Sequence, residues 1–416
     1  MRPLLYLDTA RLGQTLPAAR DAQIDFVRLT AEEPSTLYFE EFLQHGYKVW
    51  PEYYQSRFPA LKTWSGVRGL KQSLRQLTGA PDYWNVLLAS RSLSLVQLAA
   101  RSMFQVSRNV LTTDLSWPTY LDAVTRQALA SGGHVTTVPL RDAIFREGWT
   151  ADDVASFLAR AYADNHCDGL FLPSVDHLGI RVPIRAIVER IRQTSEIQFV
   201  LVDAAQAFCH VPIDDFLTVA DFVVTGCHKW MRAGQPMGIG LFGQAGTRQL
   251  MTDTLRESCG NGCDLDPLLV FTEQIDGGQL NGHSETVNLA PLFSSSAAAL
   301  EQDWHRCQFS ANGAGSALAD VVAGVTSMDL PLELSHWVPT QPHGTLRSRI
   351  TLFANQENTR SSTAAAEARR EWLSHGCVVT TYDNGWVRVS PPPEIQSTSA
   401  APRHSLDTRR SIAVVH

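Results

Sequence analysis

No stretch of this chain approaches the roughly 18 consecutive apolar residues that a bilayer span requires. The opening MRPLLYLDTAR is interrupted by Asp8 before it could form a signal-peptide core, so the expectation is a cytoplasmic protein. Concentrated charge is also missing: 35 basic and 42 acidic residues give a net charge of −7 with no block of either sign. That speaks against nucleic acid or an acidic membrane surface as partner. Cysteine is sparse, with seven residues scattered at Cys167, Cys209, Cys227, Cys259, Cys263, Cys307 and Cys377. An odd, dispersed set predicts free thiols in a reducing compartment rather than a disulfide framework. Cys259 and Cys263 lie beside Asp264 and Asp266 but lack a second Cys or His pair, so no metal site is expected. There is no internal repeat, and no G-x-G-x-x-G turn after the first α/β strand, which removes the dinucleotide-binding reading.

What is present is a globular composition, 44% hydrophobic and 19% charged over 416 residues, enough for two unequal domains. From about 85 to 245, short continuous apolar runs alternate with helical periods. NVLLAS (85–90), NVLTTD (109–114), DGLFLPSV (168–175), FVLVDAAQ (199–206), DFVVTG (221–226) and GIGLFG (238–243) read as strands. Uninterrupted apolar strands suit a mainly parallel sheet covered by helices on both faces. Thr150 with Asp153 predicts a capping box, and Pro183 a first helical residue ahead of Ile184, Ile187 and Ile191. Farther on, SRITLFANQ (348–356), a helix over 363–375 stopped by Gly376, and two strands turning at Asn384-Gly385 predict a small α+β lobe. Asn-Gly there predicts a type I′ hairpin. The tail from about 391 is rich in Pro, Ser, Thr and Arg and is expected to be poorly ordered.

The densest chemical signal is 202–243. Asp203 ends a buried strand, where α/β sheets place their ligand sites, and Lys229 follows 26 residues later, beyond another strand and before a Gly/Pro-rich turn. A pyridoxal cofactor needs such a pair: a lysine to form the Schiff base, and a carboxylate to keep the pyridinium nitrogen protonated. The run Asp203-Ala204-Ala205-Gln206, Pro212-Ile213-Asp214, Ala220-Asp221, His228-Lys229 and Gly238-Ile239-Gly240 resembles class V aminotransferases. These fold type I pyridoxal 5′-phosphate enzymes include cysteine desulfurases, kynureninase and isopenicillin N epimerase. The His228-Lys229-Trp230 text looks most like the epimerase branch.

The resemblance covers roughly Leu5 to Pro391, with YLDTA (6–10) as the family's opening strand. It implies a large cofactor-binding domain (26–305) with a mainly parallel seven-stranded sheet. An N-terminal segment (1–25) packs on a small C-terminal α+β domain (306–416). It also implies roles residue by residue. Gln206 contacts the cofactor's phenolic oxygen or the Schiff base, and His228 lies by the phosphate. Ser90, Arg91, Ser92 and Leu93 occupy the phosphate turn, where Arg91 replaces the usual glycine and Leu93 the usual threonine, leaving Ser92 or Ser94 to supply the hydroxyl. Gly226 replaces a phosphate-binding serine, with Thr225 to compensate. Trp117 stacks on the ring. Asp176, beside His177, stands where relatives carry Asn or Ser against the phenolic oxygen. Ser284 or Thr286 reaches into a neighbouring subunit's phosphate site, implying a homodimer with a shared active site. Arg388 binds the substrate's α-carboxylate.

Those motifs imply an enzyme acting on an amino acid's α-amino group, through an external aldimine, with lyase or aminotransferase-type chemistry in specialised metabolism. An epimerase, a cysteine desulfurase and a non-catalytic binding protein are the alternatives. A desulfurase needs a nucleophilic cysteine on a mobile loop, and the one candidate, Cys377, falls in a predicted strand.

Overall fold

The computed structural model describes residues 4–33, 40–260, 265–278, 286–302, 334, 336–355 and 364–392. Its centre is a seven-stranded sheet of order β2-β8-β7-β6-β5-β3-β4. The strands are β2 (Asn85–Ala89), β3 (Asn109–Thr113), β4 (His134–Val138), β5 (Gly169–Pro173), β6 (Phe199–Asp203), β7 (Phe222–Gly226) and β8 (Gly238–Phe242), preceded in the chain by a short β1 (Leu5–Tyr6). β4, β3, β5, β6 and β7 pair in parallel, while β8 runs antiparallel to both β7 and β2. The expected seven-stranded, mainly parallel sheet is therefore present.

β5, β6, β7 and β8 are buried at every position, which explains their unbroken apolar text: helices cover both faces and no solvent side exists to demand polar residues. One large apolar cluster and a second around the helix Ser92–Val106 fill the two faces. The Thr150–Asp153 capping box forms as expected and starts the helix Ala151–Asp164. Pro183 sits one residue earlier than expected, at the cap before Ile184–Ile191. The strand FVLVDAAQ stops at Asp203, and Ala204–Gln206 turn away.

A second sheet, order β12-β13-β10-β9, is antiparallel and built from β9 (Trp337–Thr340), β10 (Thr351–Asn355), β12 (Thr380–Thr381) and β13 (Val387–Val389). The run expected as one strand, CVVTTYD, splits: β11 (Cys377–Val378) pairs in parallel with β1, and β12 pairs with β13. The helix Ala364–Ser374 packs on this sheet through Trp372, edge-on to Trp337 and Phe353. Gly376 (φ +82°) follows the helix end. The Asn384-Gly385 turn is not type I′. That turn needs two positive-φ central residues, and only Gly385 (φ +80°) has one. Gly385 N–H donates to Tyr382 O and Tyr382 N–H to Trp386 O, so a three-residue Asp383–Gly385 loop with glycine last closes the hairpin.

The four described cysteines whose environment is resolved, Cys167, Cys209, Cys227 and Cys377, are free and buried. Among the described residues, no helix is long and apolar enough to cross a membrane, and no group of three or more His, Cys, Asp or Glu could hold a metal. Cys263, Cys307 and Ser284 lie outside the described residues, as does all but the start of the tail.

Candidate active site

The carboxyl ends of β5, β6 and β7 open onto one cavity of about 410 Å³. Asp203 is the last residue of β6, and Lys229 stands three residues past the end of β7 in the adjoining turn. Both line the cavity. Parallel neighbours deliver their ends to the same edge of a sheet, so the 26-residue spacing becomes proximity through one crossover. Asp203 Oδ1 accepts the Ala205 N–H at 2.8 Å. Burial pushes its carboxyl up to about 6, against that hydrogen bond and the Lys229 charge. Burial pulls the Lys229 amine down to about 8, with Asp203 opposing and Arg388 adding to the fall. Each group thus moderates the other's desolvation.

The lysine turn is held from outside the sheet. Gly13 N–H donates to His228 O at 2.9 Å, and Leu16 N–H to Arg232 O at 3.0 Å. A Cβ on Gly13 would sit 1.9 Å from Lys229 O, so only glycine permits this approach. Arg232, at φ +63°, closes the turn and donates from Nε to Gln14 O. Beneath lies a stacked pair, His210 and Trp230, with ring centroids 3.7 Å apart. Gln206 ties the layers together: Nε2 donates to Ala10 O at 2.8 Å, and Oε1 accepts Trp230 Nε1–H at 2.9 Å. Gln206 does reach the cavity, but both ends of its carboxamide already have protein partners.

The small lobe supplies the opposite wall. Arg388 on β13 lines the cavity, as do Thr380 and Tyr382. Its Nη2 donates to Asp8 Oδ1 at 2.9 Å and to Thr380 Oγ1 at 3.2 Å, and Nη1 to His177 O at 3.2 Å. Both members of the Asp8–Arg388 pair are buried, while Arg388 Nε has no hydrogen-bond partner among the described residues.

Asp176 and His177 follow β5 and line the cavity too. Asp176 Oδ1 accepts the Leu178 and Ile180 N–H groups at 3.0 and 2.7 Å. Burial lowers the His177 imidazole to about 4, with Arg141, Arg388 and Lys229 adding to the fall. Trp117 precedes the helix Pro118–Ala130, is 46% exposed, and presents its ring edge-on to His177 at 5.4 Å between centroids. It lines the cavity as well.

The expected phosphate residues are arranged differently. Ser92 starts the helix Ser92–Val106, and its Oγ pairs with the Tyr120 hydroxyl at 2.5 Å. Tyr120 itself lines the cavity. Leu93 packs apolar against the second core cluster, so its side chain offers nothing to an anion. Ser90 and Ser94 are both engaged by Asp266: Ser90 N–H and Oγ reach Oδ1 at 2.9 and 3.0 Å, and Ser94 Oγ reaches Oδ2 at 2.9 Å. Ser94 is therefore not a free hydroxyl. Thr225 donates to Ala204 O and stays buried away from the cavity lining. His228 keeps an unpartnered buried Nδ1, and burial with Lys229 and Arg91 lowers its ring to about 4. Thr286 is exposed.

Sequence reasoning passed over Asp8, Thr380, Tyr382, Tyr120 and Asp266. Asp8 lay within the quoted YLDTA run, and Tyr382 six residues before Arg388, but nothing in either residue type marks a pocket.

Residues 60–254 match the aminotransferase class-V family. This segment belongs to class V. It carries β2 to β8 with Asp203 and Lys229, and supports a pyridoxal-phosphate-dependent enzyme. No curated protein sequence matches. Solved structures do. Cysteine desulfurase CsdA from Escherichia coli has TM-score 0.62 and 16% identity over 95% of this chain and 92% of that one. Ureidoglycine–glyoxylate aminotransferase from Bacillus subtilis has 0.61 and 13% over 94% and 88%. The cystine C-S lyase C-DES in complex with its product cysteine persulfide has 0.59 and 14% over 95% and 96%. At these identities the likeness shows a shared fold.

The class-V cofactor fits this cavity by its donor chemistry. A half-buried amine and a buried carboxylate line one cavity, and three of its lining side chains carry buried polar atoms without partners among the described residues: Asp176 Oδ2, His177 Nδ1 and Arg388 Nε.

Proposed function

We propose that this class-V enzyme acts on the α-amino group of a free amino acid, in lyase or aminotransferase-type chemistry. The observation that carries the reading is the single cavity bounded by Asp203 and Lys229 on the large sheet and by Arg388 on the small lobe. A cation for a carboxylate and an amine for a carbonyl on opposite walls suit a small zwitterion.

When bound, pyridoxal phosphate supplies an electron sink for a carbanion at the amino acid's α-carbon. The chain's residues do the rest. In this reading Lys229 holds the cofactor covalently and, once displaced, moves protons, a task its lowered pKa suits. Asp203 would pair with the ring nitrogen, and Trp117 would cover the ring. Gln206 and His228 would flank the cofactor, and the N–H groups of Ser92 and Leu93 at the helix start would hold its phosphate. Arg388 takes the substrate carboxylate through guanidinium N–H groups not spent on Asp8, Thr380 and His177 O, which fix its position. A second copy of the chain, through Thr286, would complete a cytoplasmic homodimer.

Desulfurase chemistry draws no support from Cys377. It lies in β11 within the small-lobe core, and burial pushes its thiol up, away from a reactive thiolate.

The test is incubation of the loaded protein with a panel of amino acids and identification of products. A keto acid, or ammonia with an eliminated fragment, is the expected result. An inverted amino acid as the sole product would replace this reading with epimerisation. No turnover with any amino acid would favour a non-catalytic relative.

A further inference from the structure

Asp176 stands out among the cavity's side chains because its two oxygens are treated unequally. The tight loop after β5, with Gly179 at φ +100°, turns Leu178 and Ile180 N–H groups onto Oδ1. Oδ2 is buried and has no hydrogen-bond partner among the described residues. The residue is 2% exposed and lines the cavity, and Oδ2 is its carboxyl oxygen left unpartnered among the described residues.

The groups around it are known. Arg141 is the charge that acts on it; it spends Nη2 on Asp114 O and keeps a buried Nε with no partner among the described residues. His177 comes from the same loop, Lys229 and Asp203 from the neighbouring strand ends, and Arg388, Asp8 and Tyr382 from the small lobe. Arg388 is already paired with Asp8, and Lys229 faces Asp203. None of these cations forms an ion pair with Asp176. A carboxylate would therefore hold a buried charge that Arg141 acts on but that has no ion-pair partner among the described residues, a state that burial disfavours. A carboxylic acid would hold an O–H with no acceptor until the cavity is filled.

We propose that Asp176 serves this pocket as a neutral carboxylic acid, donating a hydrogen bond from Oδ2 to an anionic oxygen of the bound ligand and repelling that oxygen when it ionises. This rests on the reading of the cavity as the cofactor and substrate site. Burial agrees with it, raising this carboxyl to about 7 against the Ile180, Leu178 and Gly179 N–H groups and Arg141. The pocket then loads best on the acid side of neutrality.

Two measurements test this. In cofactor-free protein, infrared difference spectra between about pH 6 and about pH 8 should show loss of a protonated-carboxyl C=O band. Asp203, raised to about 6, adds to the same band, so the band should be retained in Asp203→Asn and lost when Asp176→Asn is added to that variant. An Asp203→Asn protein with no such band, or a band there that survives the added Asp176→Asn, overturns the proposal without reference to activity. Second, affinity for pyridoxal phosphate should fall roughly tenfold over the same interval, following the protonated fraction of a group near 7. Asp176→Asn, a permanent donor of the same shape, should remove that fall, and an equal fall in the variant contradicts the proposal. Failure of wild type to bind pyridoxal phosphate at any pH would instead count against the proposed function, leaving the infrared result to judge Asp176.

Discussion

Arg388 Nη2 donates to Asp8 Oδ1 at 2.9 Å, joining the segment just after β1 to β13 across 380 positions. Asp8 also accepts from Thr380 Oγ1 through both oxygens, and its backbone bridges Ser390. Removing one partner of a buried pair leaves the other charge uncompensated, at a cost of about 3–5 kcal/mol. Asp8→Ala should lose stability on that scale in denaturant titrations, with Arg388→Leu less severe because the leftover carboxylate keeps Thr380 Oγ1. Equal, sub-kcal/mol effects of both would remove the structural role of the pair.

Gly13 predicts a second outcome. Its missing Cβ lets the N-terminal segment touch Lys229 O, so Gly13→Ala must push the lysine turn away. Overpacking of this kind costs about 1–3 kcal/mol. Covalent loading at Lys229 should weaken in step. Unchanged melting and unchanged loading would show that the segment does not position the lysine.

Gln206 links Ala10 O to Trp230 Nε1. Gln206→Leu should leave both buried groups unsatisfied and cost about 1–3 kcal/mol in chemical denaturation. Gln206→Glu should preserve the Trp230 bond and lose the one to Ala10. If Leu is tolerated without loss, the carboxamide is free to serve a ligand.

Acid should weaken the protein through its buried imidazoles. His177 and His228 are lowered from 6.5 to about 4, and His210 to about 3, chiefly by burial. A base whose folded pKa lies below its unfolded value contributes stability that is full above about 6.5 and lost as pH falls toward the folded value. Asp176 and Asp203, raised above 3.8, act in the opposite sense, so their contribution falls as pH rises from about 4 to their values of about 7 and 6. His177 has an unpartnered Nδ1, so His177→Gln orphans nothing. It should lose on the order of 1–3 kcal/mol less than wild type between about pH 6.5 and about pH 4. Parallel pH profiles would contradict this.

Much of the fold was legible because fully buried strands write themselves as apolar runs. The strands that escaped notice carry other text. β4 is an edge strand, HVTTV, with only Val138 buried, so nothing in its pattern forces a strand. The CVVTTYD run divides between two sheets because β1 arrives from the other end of the chain, a pairing no local pattern announces. Asp203, Lys229, Asp176, Trp117, Gln206 and Arg388 were all placed at the cavity from sequence text, and the structure brings them there. The phosphate turn was the least legible part. Asp266 claims Ser90 and Ser94 from 172 or more residues away, and only the folded chain shows it.

The central claim is that Lys229 is the residue that takes the cofactor. Incubation with pyridoxal phosphate, reduction with borohydride and peptide mapping by mass spectrometry tests it directly. The account predicts one stable pyridoxyl adduct, on the peptide carrying Lys229, absent in Lys229→Ala and reduced in Asp203→Asn. An adduct on another lysine, or labelling that persists unchanged in Lys229→Ala, would contradict it.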